Sequence, residues 1–303
     1  TKNEYVARLK KEYEEFREKF LRRGKTKAYV SLEEARKSRF KIDWESSQIC
    51  TPKELGVQIL EQLSLKELLP FIDWSPFFRS WDLHGRFPKI LSDKVVGEQA
   101  TLLYRDAQEM LQSIIAKKAL KPKAVFGLFE ANSSKDDIIV KKKGVELARF
   151  LTLRQQSKKR TGIPSYALSD FIAPEESGKT DYIGAFCTSI FGADELAKSY
   201  KEQEDDYSAI MVQAIADRFA EAFAEYLHHR IRTKHWGYAN SEHLTNEELI
   251  KESYKGIRPA PGYPACPDHL EKLTIWELLR VKQSIGVSLT ESLAMWPAAS
   301  VSG

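Results

Sequence analysis

Cysteine is scarce in this chain of 303 residues: Cys50, Cys187 and Cys266 lie far apart and form no CxxC pair. That spacing supports neither a disulfide framework nor a structural zinc site, and it suits a reducing, cytoplasmic setting. The histidines form no HExxH or related metal spacing, so no metal site is expected. There is no GxSxG elbow, and no catalytic triad can be assembled from scattered residues. Phosphate loops of the GxGxxG and GxxxxGK[ST] types are also missing, which removes the common nucleotide-binding signatures. Charge interrupts every apolar run before it reaches membrane-spanning length. The opening TKNEYVARLKKEYEEF has no hydrophobic segment of the kind a secretory signal needs.

What is present is the composition of a large globular protein, 42% hydrophobic and 30% charged, enough to bury a core behind a solvated surface. The formal charge of +4 is small for the length. Lysines cluster at 117–123, 141–143 and 158–160. With no RNP, zinc-finger or helix-turn-helix pattern beside them, they read as solvated faces, and neither a nucleic-acid nor a membrane partner is expected.

Residues 1–23 read as a lysine- and glutamate-rich helix with Tyr5, Leu9, Tyr13, Phe16 and Phe20 on one stripe. Ser31 and Glu34 form a capping-box pattern at the start of a short helix. Residues 1–48 therefore read as a helical approach segment to a main domain over 49–303. In that domain SLKELLPFID predicts a short helix and 95–118 a long one. KAVFGLFEANSSKDDIIVKKK predicts two strands around an asparagine–serine turn. SYALSDFIAP and DYIGAFCTSI are strand-length apolar runs. The longest helix spans 205–236, with Ile210, Met211, Ala214, Ile215, Phe219, Phe223, Tyr226 and Leu227 as its apolar face. NEELIKESY and LTIWELLRVKQSIG are further helices, the latter stopping at Gly286. Strands and helices fall in groups, which favours an α+β fold with a mainly antiparallel sheet.

Three features could carry chemistry. GIRPAPGYPACPDH (256–269) cannot be helical: Pro259, Pro261, Pro264 and Pro267 hold an extended track that spends few carbonyls on regular pairing. Arg258 at its head can clamp a carboxylate or phosphate in two-pronged fashion, Gly262 permits one turn, and Tyr263 offers an aromatic wall. A rigid structural loop or a polyproline II ligand explains the same residues. Asp73, among Phe71, Trp74, Phe77, Phe78 and Trp81, is either a turn or cap residue or a counter-charge for a ligand cation. Asp217, Glu221 and Glu225 share one helix face at i, i+4 and i+8, as a solvated stripe or as an acidic wall beside a cation. His228 and His229 sit at a helix end where cations are favoured in any case, and neither is assigned a ligand role.

Taken together, RPAPGYP (258–264), IDWSPFF (72–78), DRFAEAFAEYLH (217–228), DYIGAF (181–186), LRQQ (153–156) and LTESLAMWPAASVSG (289–303) resemble the C-terminal activation domain of cobalamin-dependent methionine synthases. The resemblance implies a C-shaped α+β domain with a twisted, mainly antiparallel sheet flanked by helices. It implies S-adenosylmethionine as ligand, whose methyl group reductively methylates cobalamin carried by a neighbouring domain of the same enzyme, in methionine biosynthesis. The implied electron donor is a flavodoxin-type protein or its reductase counterpart, and the family's zinc lies on another domain. Matched position by position, Arg258 would hold the methionyl carboxylate, the Ala260 backbone would meet the adenine, and Tyr263 would lie beside the sulfonium. Asp73 would meet the ammonium group, and Glu221 would lie near the ligand. Family members continue beyond the VSG at 301–303 with a segment that contributes to the site. Without that segment, a docking module for the electron donor that binds no ligand is the alternative, and no turnover is expected of the fragment alone.

Overall fold

A computed structural model describes residues 2–23 and 28–303, and the chain divides into two units. The first comprises Thr1–Phe40 with Arg154–Tyr166. It holds helix α1 (Lys2–Arg23) and the short α2 (Leu32–Lys37). The capping box forms as expected: Ser31 Oγ accepts from Glu34 N, and a Glu34 carboxylate oxygen accepts from Ser31 N at 2.9 Å. Tyr5, Tyr13 and Phe16 of the α1 stripe are exposed. Thr1 and the side chain of Phe20 lie outside the described residues.

The second unit, Lys41–Leu153 with Ala167–Gly303, carries the sheet. It runs β1 (Gly56–Leu60), α3 (Leu65–Leu68), α4 (Ser75–Ser80), α5 (Gly97–Lys117), then β2 (Lys121–Ser134), β3 (Asp137–Lys142) and β4 (Val145–Leu151). After β5 (Asp181–Phe191) come α6 (Ala193–Lys201), α7 (Asp206–Arg230), α8 (Asn246–Ile250), α9 (Glu271–Leu279) and α10 (Val281–Ile285). The last elements are β6 (Ser288–Leu289), β7 (Met295–Trp296) and β8 (Ser300–Ser302). The main sheet has six strands in the order β4-β3-β2-β5-β8, with β1 also paired to β2, and every ladder is antiparallel. The fold is α+β, as the grouping of elements predicts.

β2 is the spine of this sheet because both of its faces are covered. Ala124, Phe126 and Leu128 face a core shared with α5 and α7, while Val125, Phe129 and Ala131 face a second core shared with α9 and α10. Two covered faces explain why the strand reads as a continuous apolar run instead of an alternating one. Gly127 makes room for the ring beside it: a Cβ there would lie 2.5 Å from the Phe129 ring.

Two expectations fail here for related reasons. The turn between β2 and β3 is at Lys135–Asp136, not at the asparagine–serine pair, which lies inside β2. Asn132 Nδ2 donates to the carbonyls of Ala173 (3.0 Å) and Lys179 (2.7 Å), and Ser133 Oγ donates to Ile172 O at 2.9 Å. These side chains read as turn-formers locally, yet they satisfy a loop packed on the strand. The SYALSDFIAP run forms no strand either. Residues 168–171 make a 3-10 turn in which an Asp170 oxygen accepts from Ala167 N at 3.1 Å, and Ser169 N donates to Thr152 Oγ1.

α7 packs against β5, β8 and α3 to α6, and Ile210, Gln213, Asp217 and Glu221 form its exposed stripe. Phe219 and Phe223 are fully enclosed, whereas Ile210, counted on the apolar face from its spacing, is 51% exposed. Replacing Phe223 by Ala should cost about 3–5 kcal/mol in urea unfolding, since a ring-sized cavity opens in a packed core. Ile210→Ala should cost under about 1 kcal/mol.

Candidate functional site

A cavity of about 540 Å³ lies where the N-terminal half of β5, the end of α7 and the proline track converge. Trp44, Phe150, Phe171, Tyr182, Phe186, Trp236 and Tyr238 give it aromatic walls, and Arg258, Pro259, Ala260 and Pro261 form one edge. Its volume is that of a small-molecule site, apolar with a few placed polar groups.

Long-range hydrogen bonds fasten the walls. Lys179 Nζ donates to the carbonyls of Trp44, Glu45 and Ser47, which pins the 44–47 loop. Trp236 Nε1 donates to Cys50 O at 2.7 Å, and Lys53 N donates to His235 O at 3.0 Å. Asp181 is committed to structure, since its two oxygens accept from Ala173 N and Tyr182 N, both at 2.8 Å.

Residues 257–260 of the proline track form no helix, strand or turn, and Pro259 and Pro261 bias Arg258 and Ala260 to extended backbone. Beyond them the track folds back: Cys266 N donates to Tyr263 O (2.9 Å), Gly262 N donates to Cys266 O (2.9 Å), and Leu168 N donates to Ala265 O (2.8 Å). The continuous extended track expected from the prolines is therefore half track and half double turn. Gly262 is required at the turn, with φ of +97° and a would-be Cβ only 2.2 Å from the His269 ring. The turn leaves Tyr263 64% exposed.

Arg258 and Ala260 line the cavity; Asp73, Glu221 and Tyr263 are not among its lining residues. Asp73 fills the turn role that its setting allowed, with Oδ1 accepting from Ser75 N at 2.9 Å. Its segment nevertheless docks on the same end of α7, because Phe71 meets the rings of Tyr226 (5.4 Å) and His229 (5.9 Å). Glu221 is exposed. Its neighbour one turn on, Glu225, is the carboxylate that Arg258 holds, Nη2 to Oε2 at 3.0 Å. Of the acidic stripe, then, the last member is inside. The sequence carries no signal that separates it, since Glu221 sits in the same AEAFAEYLH run and is exposed.

His228, too, escaped sequence reasoning. It is buried and lines the cavity. Arg232 Nη1 lies 2.7 Å from its Nδ1. A guanidinium only donates, so Nδ1 is the bare nitrogen and the ring proton sits on Nε2. Arg232 itself is fully buried in a wider π-type turn, Ile231–His235, that continues α7. Its Nε and Nη2 form a fork on Glu242 (3.1 and 2.6 Å), its plane lies 4.0 Å over the Tyr254 ring, and Glu225 Oε1 is 3.9 Å from Nη1. Burial pushes the Glu225 carboxyl above its ordinary value, against the pull of Arg258 and Arg232. Among the described residues no cluster of metal-ligating side chains occurs, and no helix is long and apolar enough to cross a membrane.

Burial, followed by the charges of Arg232 and Arg258, lowers the His228 pKa to about 2 from an ordinary 6.5. The unfolded chain therefore binds a proton below pH 6.5 that the folded one refuses, and stability is lost as pH falls through that value. His228→Gln should remove this contribution: from pH 6.5 to 5 it should lose about 2 kcal/mol less stability than the parent in urea titrations. Identical pH profiles would show that His228 is not held neutral.

Residues 64–303 match the family described as the activation domain of vitamin B12 dependent methionine synthase. The fold is similar to a crystal structure of the MetH reactivation domain bound to AdoHcy, with a TM-score of 0.87 and 52% identity, covering 91% of this chain and 85% of that one. The antiparallel sheet, the α7 end and the RPAPGYP edge thus belong to a shared architecture, and the chain is a member of the vitamin B12 dependent methionine synthase activation-domain family.

Proposed function

We propose that this domain binds S-adenosylmethionine with the amino-acid end at Arg258 and the nucleoside end in the aromatic cavity. It then presents the methyl group for reductive methylation of cobalamin on a neighbouring domain of the same methyltransferase. The observation that carries the reading is Arg258, held by Glu225 at the head of the extended 257–260 backbone that edges the cavity. A ligand with a carboxylate, an ammonium, a sulfonium and a flat base needs a guanidinium, carboxylates, aromatic faces and backbone polar groups. Arg258, the aromatic walls and the 257–260 backbone line this cavity with Glu225 on Arg258, and the AdoHcy in the similar structure shares the carboxylate, ammonium and base, with a thioether in place of the sulfonium.

In this reading the Arg258 guanidinium grips the ligand carboxylate and the Ala260 backbone meets the adenine. Tyr263, Asp73 and Glu221 act from outside the cavity, Tyr263 beside the sulfonium and Asp73 toward the ammonium. Support for grouping them comes from α7: Glu221 is about 6 Å along the axis from Glu225 on the same face, and the Asp73 segment packs on Tyr226. The cobalamin, when docked, supplies the nucleophilic cobalt; this chain's part is to hold and orient the methyl donor. The electron comes from a flavodoxin-type protein or its reductase counterpart, and the setting is cytoplasmic. The lysine clusters suit an acidic flavoprotein.

Isothermal calorimetry should detect S-adenosylmethionine binding, and Arg258→Ala should weaken it by about 2–4 kcal/mol, because a charged partner loses its clamp. Asp73→Asn should cost less. Unchanged affinity in Arg258→Ala, or no heat with the parent at millimolar ligand, would overturn the reading.

A further inference from the structure

Arg258 is not free to choose its orientation. Its Nη2 is tied to Glu225, while its Nε is buried with no hydrogen-bond partner, as is Glu225 Oε1. A donor and an acceptor thus stand open on one ion pair beside the cavity. What fixes Glu225 in turn comes from deeper in the protein. Arg232 has no exposed surface, and its guanidinium is committed to the Glu242 fork, to His228 Nδ1 and to the face of Tyr254. Glu225 Oε1 lies 3.9 Å from Nη1. A lysine could not reproduce this arrangement, because a point charge on a flexible stem lacks the planar fork.

We infer that Arg232 is the positioning residue for the amino-acid end of the site: anchored on Glu242, it holds Glu225 and His228 in register, and Glu225 orients the Arg258 guanidinium. Arg232 does not touch the ligand. It acts on the end that carries the carboxylate and ammonium and leaves the nucleoside end alone, since no base-facing aromatic wall other than His228 depends on its hydrogen bonds. A purely structural arginine at the same place would affect both ends together. The inference rests on the proposed ligand and the placement of its amino-acid end at Arg258.

The test compares two ligands on the whole chain by calorimetry: S-adenosylmethionine, and 5′-methylthioadenosine, which keeps the nucleoside and thioether but lacks the amino-acid end. Arg232→Met should weaken S-adenosylmethionine at least tenfold and shift 5′-methylthioadenosine by less than threefold, with Arg232→Lys giving no rescue. Should Arg232→Met fail to fold, Glu225→Gln carries the test, because it keeps the shape and removes the charge that Arg232 positions; the same selective loss is expected. Equal losses for both ligands, no loss for either, or full rescue by lysine overturns the positioning role while the binding reading stands. A parent chain that binds 5′-methylthioadenosine as tightly as S-adenosylmethionine overturns the placement of the amino-acid end itself, and the inference falls with it.

Discussion

The burial of one guanidinium organises the cavity end of this domain. Arg232 is fully enclosed, and a charge in that position is tolerated only when its donors are used and a counter-charge is at hand. Glu242, His228 and the Tyr254 face meet those needs, and each comes from a different stretch of chain: the loop after the π-type turn, the last turn of α7, and the segment leading into the proline track. Satisfying Arg232 therefore fixes those three stretches relative to one another, and they frame the cavity. Removing one partner of such a buried pair commonly costs about 3–5 kcal/mol. The arrangement is rigid because the alternative is an uncompensated charge.

The wider π-type turn serves the same end. A regular α-helix continued through 231–235 would keep its side chains on the 3.6-residue repeat, and the extra residue per turn re-aims those that follow. Trp236, just past it, reaches the carbonyl of Cys50 and closes the cavity wall. The proline track works on the other edge. Its extended half has already lost much of its conformational freedom, so presenting backbone to a ligand needs little further ordering.

Much of the fold was legible in the sequence: the capping box at Ser31, the span of α7, the stop at Gly286 and the α+β class. These rest on local chemistry, on capping oxygens, 3.6-residue periodicity and glycine at positive φ, which act within a few residues. The misplaced turn at Asn132–Ser133 and the missing strand at 168–171 show where local chemistry misleads. In both, short polar side chains are satisfied by groups tens of residues away or by their own local turn, and composition does not say which. Arg258 and Ala260 line the cavity, and both stood out in the sequence because proline and arginine carry their meaning in covalent structure.

The sequence by itself determined which groups were available: a guanidinium ahead of four prolines, carboxylates at i, i+4 and i+8, aromatic residues around Asp73, and no phosphate loop or metal spacing. Only the tertiary structure decided which carboxylate Arg258 meets. Asp217, Glu221 and Glu225 are chemically near-equivalent on one face of the helix, and what separates them is how far along α7 the rest of the protein covers that face. Burial is a property of the packed whole, so the choice of Glu225, and with it the neutral state of His228, could not be read from spacing.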